Sequence, residues 1–454
     1  MIRRLILPLA LLAAVVLTAP ATHAARAGAP QYVAPRGSGA LFLISGHGWG
    51  HGVGMGQWGA EGYAMHGVVY EDILAAYYPG TVLSQTTVRK LRVLLLDGQR
   101  RVTISSDKAY SLVDGSGKKR SVPAGTATFK AGSTTYPATF SAAPGSMLSL
   151  SGRAYRGKLV VSVVSKRLRV IDLVPLQQYL DAVVPSEMPS SWLPDALEAQ
   201  AVASRSYALA GRQPGAGYDL TTSGQSYLGA AAETPQGDAA VSATKGQVLM
   251  YGGQVATTVY SSSTGGRTQS AADAWGGGAP YLVSVKDPYD TISPYHSWGP
   301  IPVTGKDLAA ALALTGKPVD ATVSRNHSKR VAKLDVTTVA HGSPSDSVVT
   351  GGTVAGALNL RSTWFSVGVL SLLPPSPNVA VAAGTDVTLT GTVRGVTNVV
   401  LQARPSGGSW ADVGPVTPDP ATGAISVDVT PTMTTDYRLA TTADAAAFVR
   451  ITVS

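Results

Sequence analysis

Val183-Val184-Pro185-Ser186-Glu187-Met188-Pro189, followed by the alanine-rich run 191–211, decides how this chain is read. A single carboxylate stands there among apolar residues, with two prolines that stiffen the turn around it. Removing a carboxylate from water disfavours its charged form and raises its pKa by up to ~3–5 units at full burial, which suits a general acid that must hold a proton near neutrality. Pro194 and Asp195 then open a helix and Gly211 closes it, where those residue types act as start and stop signals. Ala201 and Ala208 leave little side chain between this helix and a neighbour, while Gln200, Ser204 and Tyr207 recur at spacings of three and four and share one face. A closely packed helix with one polar stripe can line a cleft. The plain alternative is a surface loop carboxylate, since charged side chains ordinarily stay outside, and composition alone favours it.

Upstream, Arg3 and Arg4 precede an apolar run over 5–16, and Thr22-His23-Ala24 offers a cleavage point, so residues 1–24 read as an export signal and 25–40 as a flexible leader. The apolar run is short for a membrane span and no later segment supplies one. The mature protein is therefore expected to be secreted, extracellular or wall-associated, without a transmembrane anchor. The chain has no cysteine, which excludes disulfides and leaves His and carboxylates as ligands for any metal. Its 454 residues allow one large or two moderate cores plus an accessory domain, and its net charge of +9 suits an anionic partner. The basic residues are scattered and not interleaved with aromatics, which argues against nucleic acid.

Residues 41–82 read as a compact unit: a short apolar strand at 41–44, a glycine-rich loop and two short helical pieces ending at Tyr77-Tyr78-Pro79-Gly80. Short strands follow from 88 to 171, such as 91–96, 148–150 and 159–164. Beyond the alanine-rich helix, 247–251 and 254–260 form a hairpin-like pair around Gly252-Gly253, a pair that suits a primed turn. A helix over 305–314 and strands near 331–339 and 366–370 complete the region, and Leu373-Pro374-Pro375-Ser376-Pro377 is a stiff linker at 373–377. Residues 378–454 predict seven short strands in a small all-β immunoglobulin-like sandwich, a spacer or binding module without a charged constellation for chemistry. The expected fold is thus α+β: a β-rich domain over 41–372 with a few short helices, then the sandwich.

Two further motifs carry chemistry. In Gly46-His47-Gly48-Trp49-Gly50-His51-Gly52-Val53-Gly54-Met55-Gly56-Gln57-Trp58, glycines alternate with side chains that donate hydrogen bonds or stack, and such a loop lets backbone approach a ligand closely. His47 and His51 can hold a metal if both face inward, can bond a sugar or the carboxylate, or can be structural; no His-Glu-x-x-His pattern accompanies them. In Tyr260-Ser261-Ser262-Ser263-Thr264-Gly265-Gly266-Arg267-Thr268, hydroxyls beside a glycine turn offer a polar edge, with Trp275 and Tyr281 as stacking surfaces. Taken alone, such runs usually make loops.

Together these segments resemble the SpoIID/LytB family, the bacterial proteins that include the sporulation lytic transglycosylase. The matching residues are 176–180 through Glu187-Met188-Pro189, 196–209, Ser263-Thr264-Gly265-Gly266-Arg267-Thr268, the pair Gly224-Gln225, and Gly50-His51-Gly52-Val53-Gly54-Met55-Gly56-Gln57, spanning roughly 41–370. The resemblance implies a peptidoglycan lytic transglycosylase that cleaves between N-acetylmuramic acid and N-acetylglucosamine and leaves 1,6-anhydro ends, with Glu187 as its acid and base and no cofactor or metal. Gln200, Arg205, Tyr207, Ser262, Ser263, Thr268, His51 and Gln57 are the candidates for holding the glycan. Peptidoglycan strands are the expected partner, with other cell-wall enzymes as further candidates. A non-catalytic glycan binder that enhances an amidase, and a metal-dependent hydrolase using His47 and His51, are the alternatives.

The chain departs from the family's pattern in three respects. The glycine-rich segment opens the domain where relatives close with it, so the chain looks circularly permuted; that requires the ends near Leu41 and Leu370 to lie together. The stretch Thr221-Thr222-Ser223-Gly224-Gln225-Ser226-Tyr227 lacks the histidine and cysteines that some relatives use for zinc. Gly56 stands where a serine usually precedes Gln57.

Overall fold

The computed structural model describes residues 39–374 and 380–454. The export signal, most of the leader and residues 375–377 of the linker lie outside them. The fold is the expected β-rich α+β arrangement, several small sheets with short helices between them. Its largest sheet runs in the order Leu220–Thr221, Lys90–Gln99, Arg167–Pro175, Lys158–Val164, Ala138–Ser141, Tyr110–Val113, Lys119–Val122. Alternation sets its two faces: Leu159 and Val161 are buried while Val160 and Ser162 are partly exposed.

Helix Pro194–Ala210 occupies the middle of the helical layer and packs on Gln57–Met65, Tyr70–Tyr77, Leu176–Glu187 and Pro235–Ala243. Ala196, Ala199, Ala201, Ala203 and Ala208 are all buried, and side chains this small let several neighbours approach one helix. Pro194 sits in its first turn and Gly211 caps it, as read from the sequence. The turn expected around Glu187 is instead the end of a helix, Leu176–Glu187, with Pro185 inside its last turn. Proline removes one N–H and crowds the preceding turn, so it reads as a breaker. At the end of a helix that loss is confined to one turn.

Strand Leu41–Gly46 lies between Trp298–Thr304 and Phe365–Leu372, with Leu41 opposite Leu370. The proximity that a permuted chain requires is therefore present. Leu41 and Leu43 face one hydrophobic core and Phe42 and Ile44 another, so this strand is buried on both sides. The hairpin Gln247–Tyr251 with Gln254–Val255 is shorter than expected, and Gly252 and Gly253 both take positive φ, 55° and 78°. Tyr260–Ser261 forms a separate two-residue strand parallel to Met55–Gly56.

Six strands lie between Val387 and Ile451, where seven were expected, with an isolated bridge between Val381 and Val453. One of them, Val387–Arg394, pairs with Phe365–Leu372, so strands on both sides of the prolines share a sheet. Arg394 adds a two-point ion pair to Asp320, at 3.0 and 2.8 Å. No helix among the described residues is long and apolar enough to cross a membrane.

Candidate functional site

Glu187 is half-buried at the end of its helix. Its Oε1 accepts the Ser226 N–H at 2.6 Å, and its main-chain carbonyl accepts Gln57 Nε2 at 3.0 Å. Burial pushes its pKa above the usual carboxylate range, partly offset by the Ser226 N–H and the Tyr260 hydroxyl, which both favour the anion. The same burial, followed by the nearby Glu187 charge, raises the pKa of the Tyr207 and Tyr260 hydroxyls.

The hydrogen bonds around Tyr260 run in one direction. Tyr179 Oη donates to Gln225 Oε1 at 3.0 Å, and Gln225 Nε2 donates to Tyr260 Oη at 3.0 Å. Ser204 Oγ also reaches Tyr260 Oη, at 3.4 Å. With both approaches occupied by donors, the Tyr260 hydroxyl keeps its own proton to donate, and its proximity holds the Glu187 pKa lower than burial alone would set it.

The glycine-rich loop lies along the Tyr260 segment. Trp49 bridges to Ser263 and Val53 to Gln269. Gly54 shows why glycine is needed: its φ is +71°, and a Cβ there would lie 2.0 Å from the Val259 carbonyl oxygen. This packing carries Gln57 into the site, where the same Nε2 that bonds Glu187 also donates to Gln200 Oε1 at 3.3 Å. Gln200, fully buried, passes its own amide proton to Ser204 Oγ at 2.9 Å. Tyr207 is half-buried, its ring 6.3 Å from that of Tyr260.

Several candidate glycan contacts take other roles. Arg205 has no exposed surface and donates to the carbonyls of Val241 and Gln247, at 3.2 and 3.0 Å, so it braces the core. Ser263 is buried with Oγ donating to Asp290 at 2.8 Å, and Thr268 is buried with its hydroxyl on the Val283 carbonyl at 2.9 Å. Buried hydroxyls must find partners inside the protein, and these two anchor the loop. Ser262 remains half-buried beside Trp58, whose N–H its carbonyl accepts at 3.0 Å. Tyr281 is 5% exposed and its hydroxyl accepts the Thr257 N–H, which removes it as a stacking surface. Trp275 is 53% exposed and lies 5.5 Å from the His51 ring.

His51 keeps solvent contact, and its Nδ1 accepts the Val53 N–H at 3.0 Å. Desolvation of the packed side of its ring, with the Arg330 guanidinium second, lowers its pKa from the ordinary imidazole value. His47 bonds the His296 carbonyl through Nδ1 at 3.0 Å. No group of three or more potential metal ligands comes together among the described residues. Tyr260, Ser226, Tyr179 and Gln225 were not among the sequence candidates. Tyr260 at the head of the hydroxyl run and Gln225 in the Gly-Gln pair were the available signals, whereas Ser226 acts through its backbone.

Residues 164–251 match the family model SpoIID, described as stage II sporulation protein. This segment belongs to the SpoIID family. The SpoIID match contains Glu187, Gln200, Arg205 and Tyr207 and leaves the glycine-rich loop and Tyr260 outside. Similar proteins include the amidase enhancer of Bacillus subtilis, 41% identical over 111 residues, which are 24% of this chain and 15% of that protein. Stage II sporulation protein D of the same organism is 34% identical over 143 residues, 27% of this chain and 42% of the relative. An uncharacterised protein of Brachyspira hyodysenteriae is 34% identical over 143 residues, 30% and 39% of the two chains. The chain thus spans less than half the length of these curated relatives. No solved structure matches it.

Proposed function

We propose that this SpoIID family member acts on the cell wall as a secreted peptidoglycan lytic transglycosylase. The observation that carries the reading is Glu187: a half-buried carboxyl whose pKa is raised by burial and moderated by Ser226 and Tyr260. A glycosidase of the usual kind needs two carboxyl groups; an intramolecular reaction needs one. Glu187 protonates the glycosidic oxygen between N-acetylmuramic acid and N-acetylglucosamine. As carboxylate it then takes the proton of the muramoyl C6 hydroxyl, which attacks the anomeric carbon and closes a 1,6-anhydro ring. The proton lost in the first step is recovered in the second. Gln57 and Gln200 hold the acid's helix end in place, and Tyr207, Ser262, His51 and Trp275 are the side chains left with surface for glycan. The pairing of Leu41 with Leu370 supports a permuted order of the family's segments.

A second reading rests on the relative named amidase enhancer: the cleft holds glycan without cutting it. Incubation of the pure protein with peptidoglycan strands, with and without stem peptides, followed by mass spectrometry separates the readings. Anhydro ends that fall by about 10²-fold or more in Glu187→Gln support the transglycosylase. Binding without products supports the enhancer, and hydrolysed products lost on chelation support a metal enzyme through His47 and His51.

A further inference from the structure

Two indole rings meet beside the acid, each carried by a segment already tied to Glu187. Trp58 follows Gln57, whose amide bonds the Glu187 carbonyl at 3.0 Å, and Trp192 lies just beyond the end of the Glu187 helix. Their ring centroids are 4.7 Å apart and their planes are inclined by 59°. The backbone fixes both. The Trp58 N–H donates to the Ser262 carbonyl at 3.0 Å, two residues from Tyr260, and the Trp192 N–H donates to the Pro189 carbonyl at 3.1 Å. Three residues after Trp58 on helix Gln57–Met65, Glu61 lies on the same side, and its Oε2 accepts the Leu193 N–H at 2.9 Å. Gly59 and Gly62 seat the adjoining side of that helix, with no room for a Cβ beside Tyr77 Oη and the Tyr289 carbonyl. Rotating the helix would lose that fit, so Trp58 and Glu61 stay directed at the 188–193 segment.

The pair is not completed within the protein. Trp192 packs against the main hydrophobic core, whereas Trp58 joins no core cluster among the described residues and leans on Trp192 instead. Both residues are half-buried. Trp298 gives its indole N–H to the Gly48 carbonyl at 3.0 Å; the indole N–H groups of Trp58 and Trp192 have no acceptor among the described residues and are not sealed from solvent. A tryptophan placed for packing alone usually pairs its N–H once buried. Rings this close and this inclined admit no sugar between them, which leaves the outer face of Trp58. A flat apolar face with N–H donors at its edge suits a pyranose: the axial C–H groups cover the ring, and hydroxyl and acetamido oxygens at the sugar's rim accept the N–H groups.

We propose that Trp58 and Trp192 form a stacking subsite of the Glu187 cleft for one N-acetylhexosamine ring of the bound strand, with Trp58 as the face the sugar covers. The inference rests on the glycan reading of the site, and only on its binding part, since a cleaving enzyme and an amidase-enhancing binder both need to hold the strand.

The test uses the full mature chain carrying Glu187→Gln, so that nothing is cleaved, and an uncharged N-acetylchitooligosaccharide followed by calorimetry, with the melting temperature recorded for each variant. Trp58→Leu keeps an apolar side chain against Trp192 while removing the flat face and the N–H. It is expected to weaken binding about tenfold at an unchanged melting temperature. Trp58→Phe keeps a ring and is expected to stay within about threefold of the parent. Trp410→Ala, just ahead of strand Ala411–Pro415 in the C-terminal sheet, is expected to change nothing. Absence of binding by the parent, undiminished binding by Trp58→Leu, a Trp58→Phe variant as weak as Trp58→Leu, or equal weakening by Trp410→Ala overturns the proposal. So does a loss that follows the melting temperature through both Trp58 variants, which assigns the pair to packing. Cleavage is read separately, as anhydro products from the chain with Glu187 intact. Their absence alone strikes the transglycosylase reading and leaves Trp58-dependent binding standing.

Discussion

Gln57 Nε2 donates a hydrogen bond to the main-chain carbonyl of Glu187 at 3.0 Å, across 130 residues of chain. The last carbonyls of a helix have no partner within it, and Glu187 ends the helix Leu176–Glu187. The glycine-rich loop therefore supplies the bond that the acid's own helix cannot make. Through Gln200 the same amide joins this helix end to the alanine-rich helix.

Gln57→Ala frees that carbonyl and leaves Gln200 Oε1 without its donor. Steady-state kinetics on defined glycan strands is expected to show kcat lowered by about tenfold with KM little changed, because the acid is misaimed rather than removed. Loss of a buried partner also costs about 1–3 kcal/mol of stability, readable by denaturant unfolding. A change in KM alone contradicts the assignment.

Tyr260→Phe removes a donor that favours the Glu187 anion. The Glu187 pKa rises further, so the alkaline limb of kcat/KM, which reports loss of the proton from the free enzyme, moves to higher pH. A pH–rate profile of the two proteins measures the shift. An unmoved limb separates Tyr260 from the acid.

Asp287 is fully buried, and burial raises its pKa from the ordinary 3.8 to about 7. Because the folded value exceeds the unfolded one, the folded state holds the extra proton between these limits. The contribution to stability is complete below about pH 4 and is lost as pH rises through about 7. Asp287→Asn stays neutral throughout, so its stability relative to the parent improves with pH, by on the order of 2–4 kcal/mol at pH 8. Thermal melts from pH 4 to 8 check the sign; a constant difference refutes it.

Gly54→Ala places a Cβ against the Val259 carbonyl in a left-handed backbone position. Strain and clash together are expected to cost more than about 2 kcal/mol. The loop that delivers Gln57 is displaced, so activity falls with stability, whereas Gly253→Ala at the hairpin tip meets no atom within 4 Å and pays only the positive-φ penalty. Equal losses in the two variants contradict the packing argument.

Much of the fold was legible because its signals are local. Pro194, Asp195 and Gly211 mark a helix through their own backbone preferences, and the alternation in 159–164 marks a strand through the period of its side chains. Helix Leu176–Glu187 was missed because Pro185 is a local breaker in a place where the fold tolerates one. The hydroxyls of Ser263 and Thr268 look identical in sequence whether they face a ligand or a buried Asp290 and the Val283 carbonyl. Arg205 was misplaced for the same reason: nothing adjacent in sequence announces the Val241 and Gln247 carbonyls that hold it.

The sequence by itself determined that a lone carboxylate precedes a close-packing helix, that no cysteine chemistry is available, and which segments carry the SpoIID pattern. These properties follow from residue type and spacing along one stretch of chain. Only the tertiary structure decided which polar groups meet Glu187. Gln57, Ser226 and Tyr260 come from three separated segments, and the bonds that aim the acid and set its proton affinity exist only once packing has brought those segments together.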